Sequence, residues 1–266
     1  MLGLAGCGET TGGQNTQSPS PKEDTIFERV AVDGDFLVVE IAEDSQLSAV
    51  NLIAPDGTLY GQQAVEPGVR TVRFRLIELE LSQSTHYPPG KYELAAVEDD
   101  VIESRTLELR PDLRIREIRQ YSGSDSTDNA RLAVDVENTG TAPTWIYDIA
   151  YRDAPYQEAN DEISTYLNIP RLIEPDDIAD LIVRPGGRRL YVGQEQPLRF
   201  TGEDEPDCGV SVDITIILGT GSGDSVDQRL RVDLDGSPEP LGLGRGYTCS
   251  NGSVQILDTH SSEEAL

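Results

Sequence analysis

The stretch ARLAVDVENTGTAPTWIYDIAY, residues 130–151, shows the pattern from which the architecture of this chain can be predicted. Leu132, Val134 and Val136 alternate with small or charged residues, which is the period of a β-strand that buries one face. Asn138-Thr139-Gly140 follows, and Asn and Gly tolerate the left-handed backbone that a tight turn can require. The stretch therefore predicts a strand, a turn and a second strand that places Trp145 in a core.

The same period of two recurs on both sides of this stretch. FLVVEIA (36–42) predicts a strand, and RTVRFRLIEL (70–79) alternates apolar residues with Thr and Arg. Pro55-Asp56-Gly57 predicts a turn, because Pro fixes φ and Gly accepts a positive φ. Residues 210–236 predict a long hairpin around the Gly-rich loop 219–225. We therefore expect an all-β protein.

Three motifs carry a resemblance to known modules. VENTGTAPT (136–144) resembles the V-x-N-x-G-x-A stretch of CARDB-like adhesion domains, which are immunoglobulin-like β-sandwiches of prokaryotic cell surfaces. PPGKYELAAV (88–97) resembles the penultimate-strand motif of bacterial and archaeal immunoglobulin-like modules, in which a turn delivers a Tyr, here Tyr92, into the sandwich. The Arg184–Gly187 turn also resembles one found in such modules. The resemblance implies two tandem immunoglobulin-like β-sandwiches.

The length of 266 residues and the distribution of turns suggest a two-domain organisation. We expect a disordered, polar N-terminal tether over residues 1–25 and a first sandwich over residues 26–111. A second sandwich is expected over residues 112–236, and residues 237–266 read as a C-terminal tail that a disulfide partly pins to the sandwich. Residues 153–180 lack alternation and predict an insert with a short helix, and such inserts often carry the specificity of a module.

The chain is strongly acidic, with 48 acidic and 21 basic residues and a formal net charge of −27. Only Lys22 and Lys91 are lysines, and this acidic, lysine-poor composition resembles that of haloarchaeal proteins. At about 1 M salt the Debye length falls to about 3 Å, so repulsion between the carboxylates is screened. A mesophilic acidic protein is the alternative. Nucleic acid is excluded as an expected partner, because the phosphate backbone would be repelled.

The N-terminal Leu4-Ala5-Gly6-Cys7 resembles a lipobox, the motif at which an exported lipoprotein is cleaved and its new N-terminal cysteine is lipidated. The resemblance implies that Cys7 is the lipid attachment site and that membrane lipid is a partner. A signal needs a basic start and an apolar stretch, and only six residues precede Cys7, so we expect the start to lie upstream. A chance tetrapeptide is the alternative.

The odd number of cysteines suggests one special thiol and one disulfide in an exported protein. With Cys7 assigned to lipid, we expect Cys208 and Cys249 to be bonded, the alternative being two free buried thiols. Asn251-Gly252-Ser253 is an N-glycosylation tripeptide, and chance alone could also produce it.

Catalytic motifs are not evident in the sequence. Neither His86 nor His260 has the surroundings of a Ser-His-Asp arrangement, and the loop 219–225 lacks the Lys of a phosphate-binding loop. We expect no enzyme activity, no cofactor and no metal site. Acidic runs such as 124–129 and 174–180 could suggest calcium, but solvated carboxylates are the default expectation in so acidic a chain.

Aromatic residues near the insert are the candidate binding residues: Tyr151, Tyr156 and Tyr166. Exposed Tyr suits the binding of an extracellular protein or glycan, and packing against the sandwich edge is the alternative. The sequence thus favours a membrane-anchored extracellular protein of a halophilic archaeon that acts by binding, adhesion or surface support. A structural component of an assembly, such as an archaeal virus spike or a surface-layer accessory, is the second hypothesis. An exported hydrolase or a solute-binding subunit ranks third.

Overall fold

The structure is a computed structural model that describes residues 25–257, apart from residues 44, 81–83, 126, 156–161, 166–169, 202–204 and 243–245. The protein is all-β, as the sequence predicts, and its strands form several antiparallel sheets. Within these residues the helical segments are two 3₁₀ turns, Asp128–Ala130 and Ile178–Leu181. No helix in the described part of the chain is long and apolar enough to span a membrane. The expected tether and Cys7 lie outside the described residues.

The strands before residue 110 form what we call the first β unit. They are β1 (Phe27–Asp33), β2 (Phe36–Ile41), β3 (Ala49–Ile53), β4 (Leu59–Ala64), β5 (Thr71–Arg75), β6 (Ile77–Glu78), β7 (Thr85–His86), β8 (Gly90–Val97) and β9 (Val101–Leu109). One sheet has the order β1-β2-β5, a second has the order β4-β3-β8-β9, and β6 pairs with β7. The two larger sheets share one hydrophobic core, an arrangement consistent with a β-sandwich.

The alternation in RTVRFRL explains how the first core forms. Val72 and Phe74 on β5 are buried, while Arg73 and Arg75 between and beside them are exposed. Tyr92 is buried as predicted, and its hydroxyl donates a hydrogen bond to the carbonyl oxygen of Pro88 at 2.8 Å. Each face of the strand thus meets the environment that its residues suit.

The strands after residue 112 form the second β unit. They are β10 (Leu113–Gln120), β11 (Leu132–Asn138), β12 (Thr144–Arg152), β13 (Leu172–Glu174), β14 (Ile182–Val183), β15 (Arg188–Gly193), β16 (Ser211–Thr220), β17 (Ser225–Pro240) and β18 (Tyr247–Ile256). Their sheets have the orders β10-β11-β15-β13 and β14-β12-β16-β17-β18, and a single core contacts both sheets. The hairpin predicted around the Gly-rich loop is β16–β17, in which Gly219 pairs with Ser225.

Residues 130–151 form β11 and β12, as predicted, and Trp145 is buried in the core. The reason for the glycine between them differs from our expectation, because neither Asn138 nor Gly140 adopts a positive φ. A Cβ on Gly140 would instead lie 2.3 Å from the carbonyl oxygen of Arg110 and 2.5 Å from the amide nitrogen of Asp112. Gly140 therefore permits a close approach to the segment that joins the two units.

Two expectations about the second unit need correction. Residues 237–240 belong to β17 and residues 247–256 form β18, so this region extends the sheet and is not a tail. Within the insert, Leu172–Glu174 forms β13 and pairs with β15, and the expected short helix is the 3₁₀ turn Ile178–Leu181. The second unit therefore ends about twenty residues later than the sequence suggested.

The two units are joined by Arg110-Pro111-Asp112 and pack directly on each other. Thr141 donates its backbone N–H to the carbonyl oxygen of Arg110 at 2.8 Å, and Thr139 donates to that of Asp112 at 2.7 Å. We call the aromatic contact beside this linker the junction; it consists of His86 and Tyr87 from the first unit and Pro143 and Trp145 from the second. There the Tyr87 hydroxyl donates a hydrogen bond to the Pro143 carbonyl oxygen at 3.0 Å.

The junction continues the core of the first unit into the second. Trp145, Tyr147 and Leu181 of the second unit belong to the same buried cluster as the first core. The imidazole of His86 lies 5.1 Å from the Trp145 ring, measured between centroids. Because apolar side chains from both units are buried together, separating the units would expose them to water.

Candidate functional site

The described part of the insert folds back onto the outer face of β12. The Tyr147 hydroxyl donates a hydrogen bond to the carbonyl oxygen of Ser164 at 3.1 Å, and the Ser164 amide donates to Oδ2 of Asp148 at 2.7 Å. Arg171 donates its amide to the Tyr147 carbonyl oxygen at 2.7 Å. These bonds fix Ser164 and Arg171 of the insert against one strand, β12.

Asp148 anchors the insert electrostatically. Its side chain is 1% exposed, and a guanidinium nitrogen of Arg171 lies 3.7 Å from its Oδ2. Arg171 also forms a salt bridge with Glu195, so its guanidinium group interacts with two carboxylates. Burial raises the pKa of Asp148, while the Ser164 amide and Arg171 act in the opposite direction. Asp148 therefore holds the insert in place from beneath the surface rather than facing a ligand.

A groove with a volume of about 310 Å³ lies beside the anchored insert. Its lining includes residues from four parts of the second unit, namely β12, the insert, the loop between β16 and β17, and β17. These residues are Tyr147, Arg152, Glu162, Ile163, Asp224 and Asp227. Gly219 makes up part of its floor, and a Cβ there would lie 2.6 Å from Cγ2 of Ile163. The absence of a side chain at this position lets the insert approach β16 and so shapes the groove.

The groove offers charged side chains of both signs. Arg152 supplies hydrogen-bond donors, and the carboxylates of Glu162, Asp224 and Asp227 supply acceptors. The ring of Tyr147 also contributes to the lining, although the residue is buried and only 5% exposed. Hydroxyl-rich ligands such as glycans, and polypeptide segments, both present donors and acceptors to such a set.

Of the three candidate tyrosines from the sequence, Tyr151 lies within the described residues, and it does not line this groove. Tyr151 is 1% exposed and belongs to the core of the second unit. The expectation that it is an exposed binding residue is therefore wrong, and the alternative that it packs in the sandwich is confirmed. Tyr156 and Tyr166 lie outside the described residues. Sequence reasoning missed Tyr147, because a register shift between Ile146 and Asp148 breaks the alternation that would have marked its face.

The expected disulfide is present. Cys208 and Cys249 are bonded, with a Cα–Cα distance of 5.6 Å and a sequence separation of 41 residues. Disulfides persist in oxidising compartments, so the bond indicates an environment like that outside the cell. Asn251 lies two residues further along β18 and is exposed. Cys7 lies outside the described residues.

The surroundings of His86 differ from those of a histidine in a Ser-His-Asp arrangement. His86 is packed at the junction, stacked on Tyr87 with ring centroids 4.3 Å apart, and burial lowers the pKa of its imidazole to about 4. Its Nδ1 lies within hydrogen-bond distance of the Tyr87 carbonyl oxygen, which fixes the ring. His260 lies outside the described residues.

Within the acidic run 124–129, Asp128 is held by an ion pair. Asp128 is buried, accepts a hydrogen bond from the Asp125 amide at 2.9 Å, and pairs with Arg131 at 2.7 Å. Across the residues that the structure describes, no group of three or more His, Cys, Asp or Glu side chains is arranged to hold a metal ion. The Asp128 carboxylate is thus neutralised by a neighbouring guanidinium.

The chain was compared with models of known protein families and with curated proteins. No family model matches it, and no curated protein shows significant similarity to it.

Proposed function

We propose that this chain is an extracellular, non-catalytic protein that binds to, or supports, the surface of a halophilic archaeal cell. In this proposal the two β units are tandem immunoglobulin-like sandwiches, and a lipid on Cys7 holds them at the membrane. The single observation that carries the proposal is the Cys208–Cys249 disulfide, because such bonds are typical of exported proteins. The net charge of −27 is the observation that supports the halophilic part of the proposal.

The groove beside the insert is the proposed recognition surface. It combines the guanidinium of Arg152 with the three carboxylates of its lining beside a buried aromatic ring, and such a polar lining suits an extracellular glycan or polypeptide better than an apolar small molecule. Two of its lining residues, Glu162 and Ile163, come from the insert, and the Asp148–Arg171 contact helps to hold the insert on β12. The groove therefore lies on the sheet of the second unit, and the exposed residues of its lining can vary without changing the core.

Fractionation of cells tests the location. The chromosomal gene would receive a C-terminal tag in its own host, with and without Cys7→Ser. We expect the wild-type protein to partition with membranes and the variant to enter the medium, since the thiol is the attachment point. If both forms stay in the cytoplasm with reduced cysteines, the proposal is wrong.

Retention on isolated cell envelopes tests the groove. Arg152→Ser removes the cationic donor of the groove and should lower retention, whereas Arg73→Ser removes an exposed arginine of the first unit and should leave retention unchanged. Equal retention of the two variants would exclude the groove as the recognition surface.

A structural role in a surface assembly is the second candidate, and one observation favours it. Val101 and Ile102 are 59% and 48% exposed on β9, which is the outermost strand of its sheet. An exposed edge with apolar side chains is a site where strands of two molecules can pair.

Light scattering in molar KCl measures whether this edge associates. Ile102→Ser should lower the mass of any oligomer, while Leu59→Ser on the opposite edge strand β4 serves as the matched control because Leu59 is 58% exposed. A monomer at every concentration would count against the assembly role.

A further inference from the structure

The tripeptide Asn251-Gly252-Ser253 lies within β18, and its middle residue faces inward. A Cβ on Gly252 would lie 3.3 Å from Oε1 of Gln120 and 3.6 Å from Cδ2 of Leu234. Because successive side chains of a strand point to opposite faces, Asn251 and Ser253 face outward, and both are exposed.

The surroundings of Asn251 leave room for a bulky hydrophilic group. Its partner across the sheet is Asp235, and Ser253 lies opposite Asp233, so the outer face here is polar. Asp233 and Asp235 are exposed as well. A group attached to Nδ2 of Asn251 would therefore extend into solvent without displacing a core side chain.

We propose that Asn251 carries an N-linked glycan, and that the glycan is attached before β18 pairs with β17 and before the Cys208–Cys249 bond closes. The inference rests on the proposed extracellular function, because glycan transfer and disulfide formation then take place on the same side of the membrane. The co-reactant is an oligosaccharide carried on a lipid phosphate. Nδ2 of Asn251 bonds to the anomeric carbon, the bond from that carbon to the phosphate oxygen breaks, the lipid phosphate leaves, and the amide loses one proton.

The order follows from how tightly β18 is held once the chain has folded. A transferase must enclose the acceptor tripeptide, but the backbones of Asn251 and Ser253 are paired with β17 along a register that continues from Leu230 to Asp235. Two residues before the acceptor, Cys249 is 0% exposed and covalently bonded to Cys208. Closing the bond pins the strand, so disulfide formation and glycan transfer compete for the same segment.

The experiment measures the occupied fraction of Asn251 by mass spectrometry of peptides from protein produced in a haloarchaeal host. We expect a glycan mass on the Asn251 peptide of the wild type, and its loss in both Asn251→Gln and Ser253→Ala. The double variant Cys208→Ser, Cys249→Ser should show a higher occupied fraction than the wild type. The occupied fraction is measured on denatured peptides, so the measurement does not require that variant to fold.

A second measurement leaves the sequence unchanged. Adding dithiothreitol to cells during synthesis of the wild-type protein should raise the occupied fraction in the same way. An occupied fraction that is incomplete and equal with and without the disulfide would overturn the proposed order, whereas full occupancy of the wild type agrees with it. An exported wild type without glycan would overturn the site. A cytoplasmic protein with reduced cysteines would instead contradict the proposed function, so the two failures are distinguishable.

Discussion

Trp145 packs so closely on the Gly-rich loop that a Cβ on Gly221 would lie 2.3 Å from the indole ring. The Gly221 amide also donates a hydrogen bond to the Trp145 carbonyl oxygen at 2.9 Å, so ring and backbone both hold the loop. At the scale of single residues, this contact explains the Gly-rich composition that the sequence analysis assigned only to a hairpin loop.

Gly221→Ala should therefore destabilise the protein. The added methyl group overpacks a filled site, which typically costs about 1–3 kcal/mol, so we expect the free energy of unfolding to fall by that amount. Urea denaturation followed by circular dichroism measures it. Gly209→Ala is the control, because a Cβ there would lie 3.2 Å from the single side-chain atom Oδ1 of Asp207, and a loss of equal size in both variants would contradict the packing argument.

His86 predicts a specific pH dependence of stability. Burial lowers its pKa to about 4 in the folded protein, whereas an unfolded chain has a histidine pKa near 6.5. Between these values the unfolded state binds more protons, so the free energy of unfolding falls as the pH falls from about 6.5 to 4, by up to about 3 kcal/mol.

The measurement is urea denaturation at several pH values in this window for the wild type and His86→Gln. The variant should lack the part of the slope that His86 contributes, and His260→Gln, which removes the other histidine of the chain, should retain it. Parallel curves for the wild type and His86→Gln would show that His86 does not titrate as its burial requires.

At the scale of elements, alternation predicted which face of a strand such as β11 or β5 is buried, but it did not predict that β12 buries both of its faces. β11 and β5 follow the period of two, and both were predicted. In β12 every residue from Thr144 to Tyr151 is buried, because the insert and the first unit cover its outer face. No pattern within the strand could reveal those neighbours, so the groove beside Tyr147 could not be predicted.

The end of the second unit was missed for a different reason. Pro238 and Pro240 argue against a strand, since proline cannot donate to a ladder. In the structure they follow a register shift between Asp235 and Pro238, where pairing is already interrupted, and β17 continues to Pro240. The cysteine pair, in contrast, could be predicted from the odd number of cysteines together with the lipobox resemblance that sets Cys7 apart.

The disulfide should contribute substantially to stability. It closes a segment of 41 residues, for which the chain-entropy model gives about 4 kcal/mol. Cys208→Ser with Cys249→Ser should lower the free energy of unfolding by up to that amount in molar salt. Reduction of the wild-type protein with dithiothreitol gives the matched comparison, and an unchanged denaturation midpoint in both cases would contradict the prediction.

At the scale of the whole molecule, the net charge of −27 predicts that folding depends on salt. At about 1 M salt the Debye length is about 3 Å and repulsion between exposed carboxylates is screened, whereas at about 0.01 M it is about 30 Å. We expect the melting temperature to fall steeply when KCl is lowered below about 0.2 M.

A charge-reduced variant separates repulsion from other effects of salt. Asp99, Asp100 and Asp227 are exposed, and their replacement by Asn should shift the salt requirement to lower KCl. A melting temperature that stays constant from molar to millimolar KCl would favour the alternative of a mesophilic acidic protein.

Trp145 is the only tryptophan of the chain, and it lies where the two units meet. Its fluorescence therefore reports on a single position, the contact between the units, without any added label. Separation of two units that each stay folded would shift the emission to longer wavelength while the far-ultraviolet circular dichroism stays constant. Global unfolding would change both signals together, so the protein contains its own optical probe of how its halves are held.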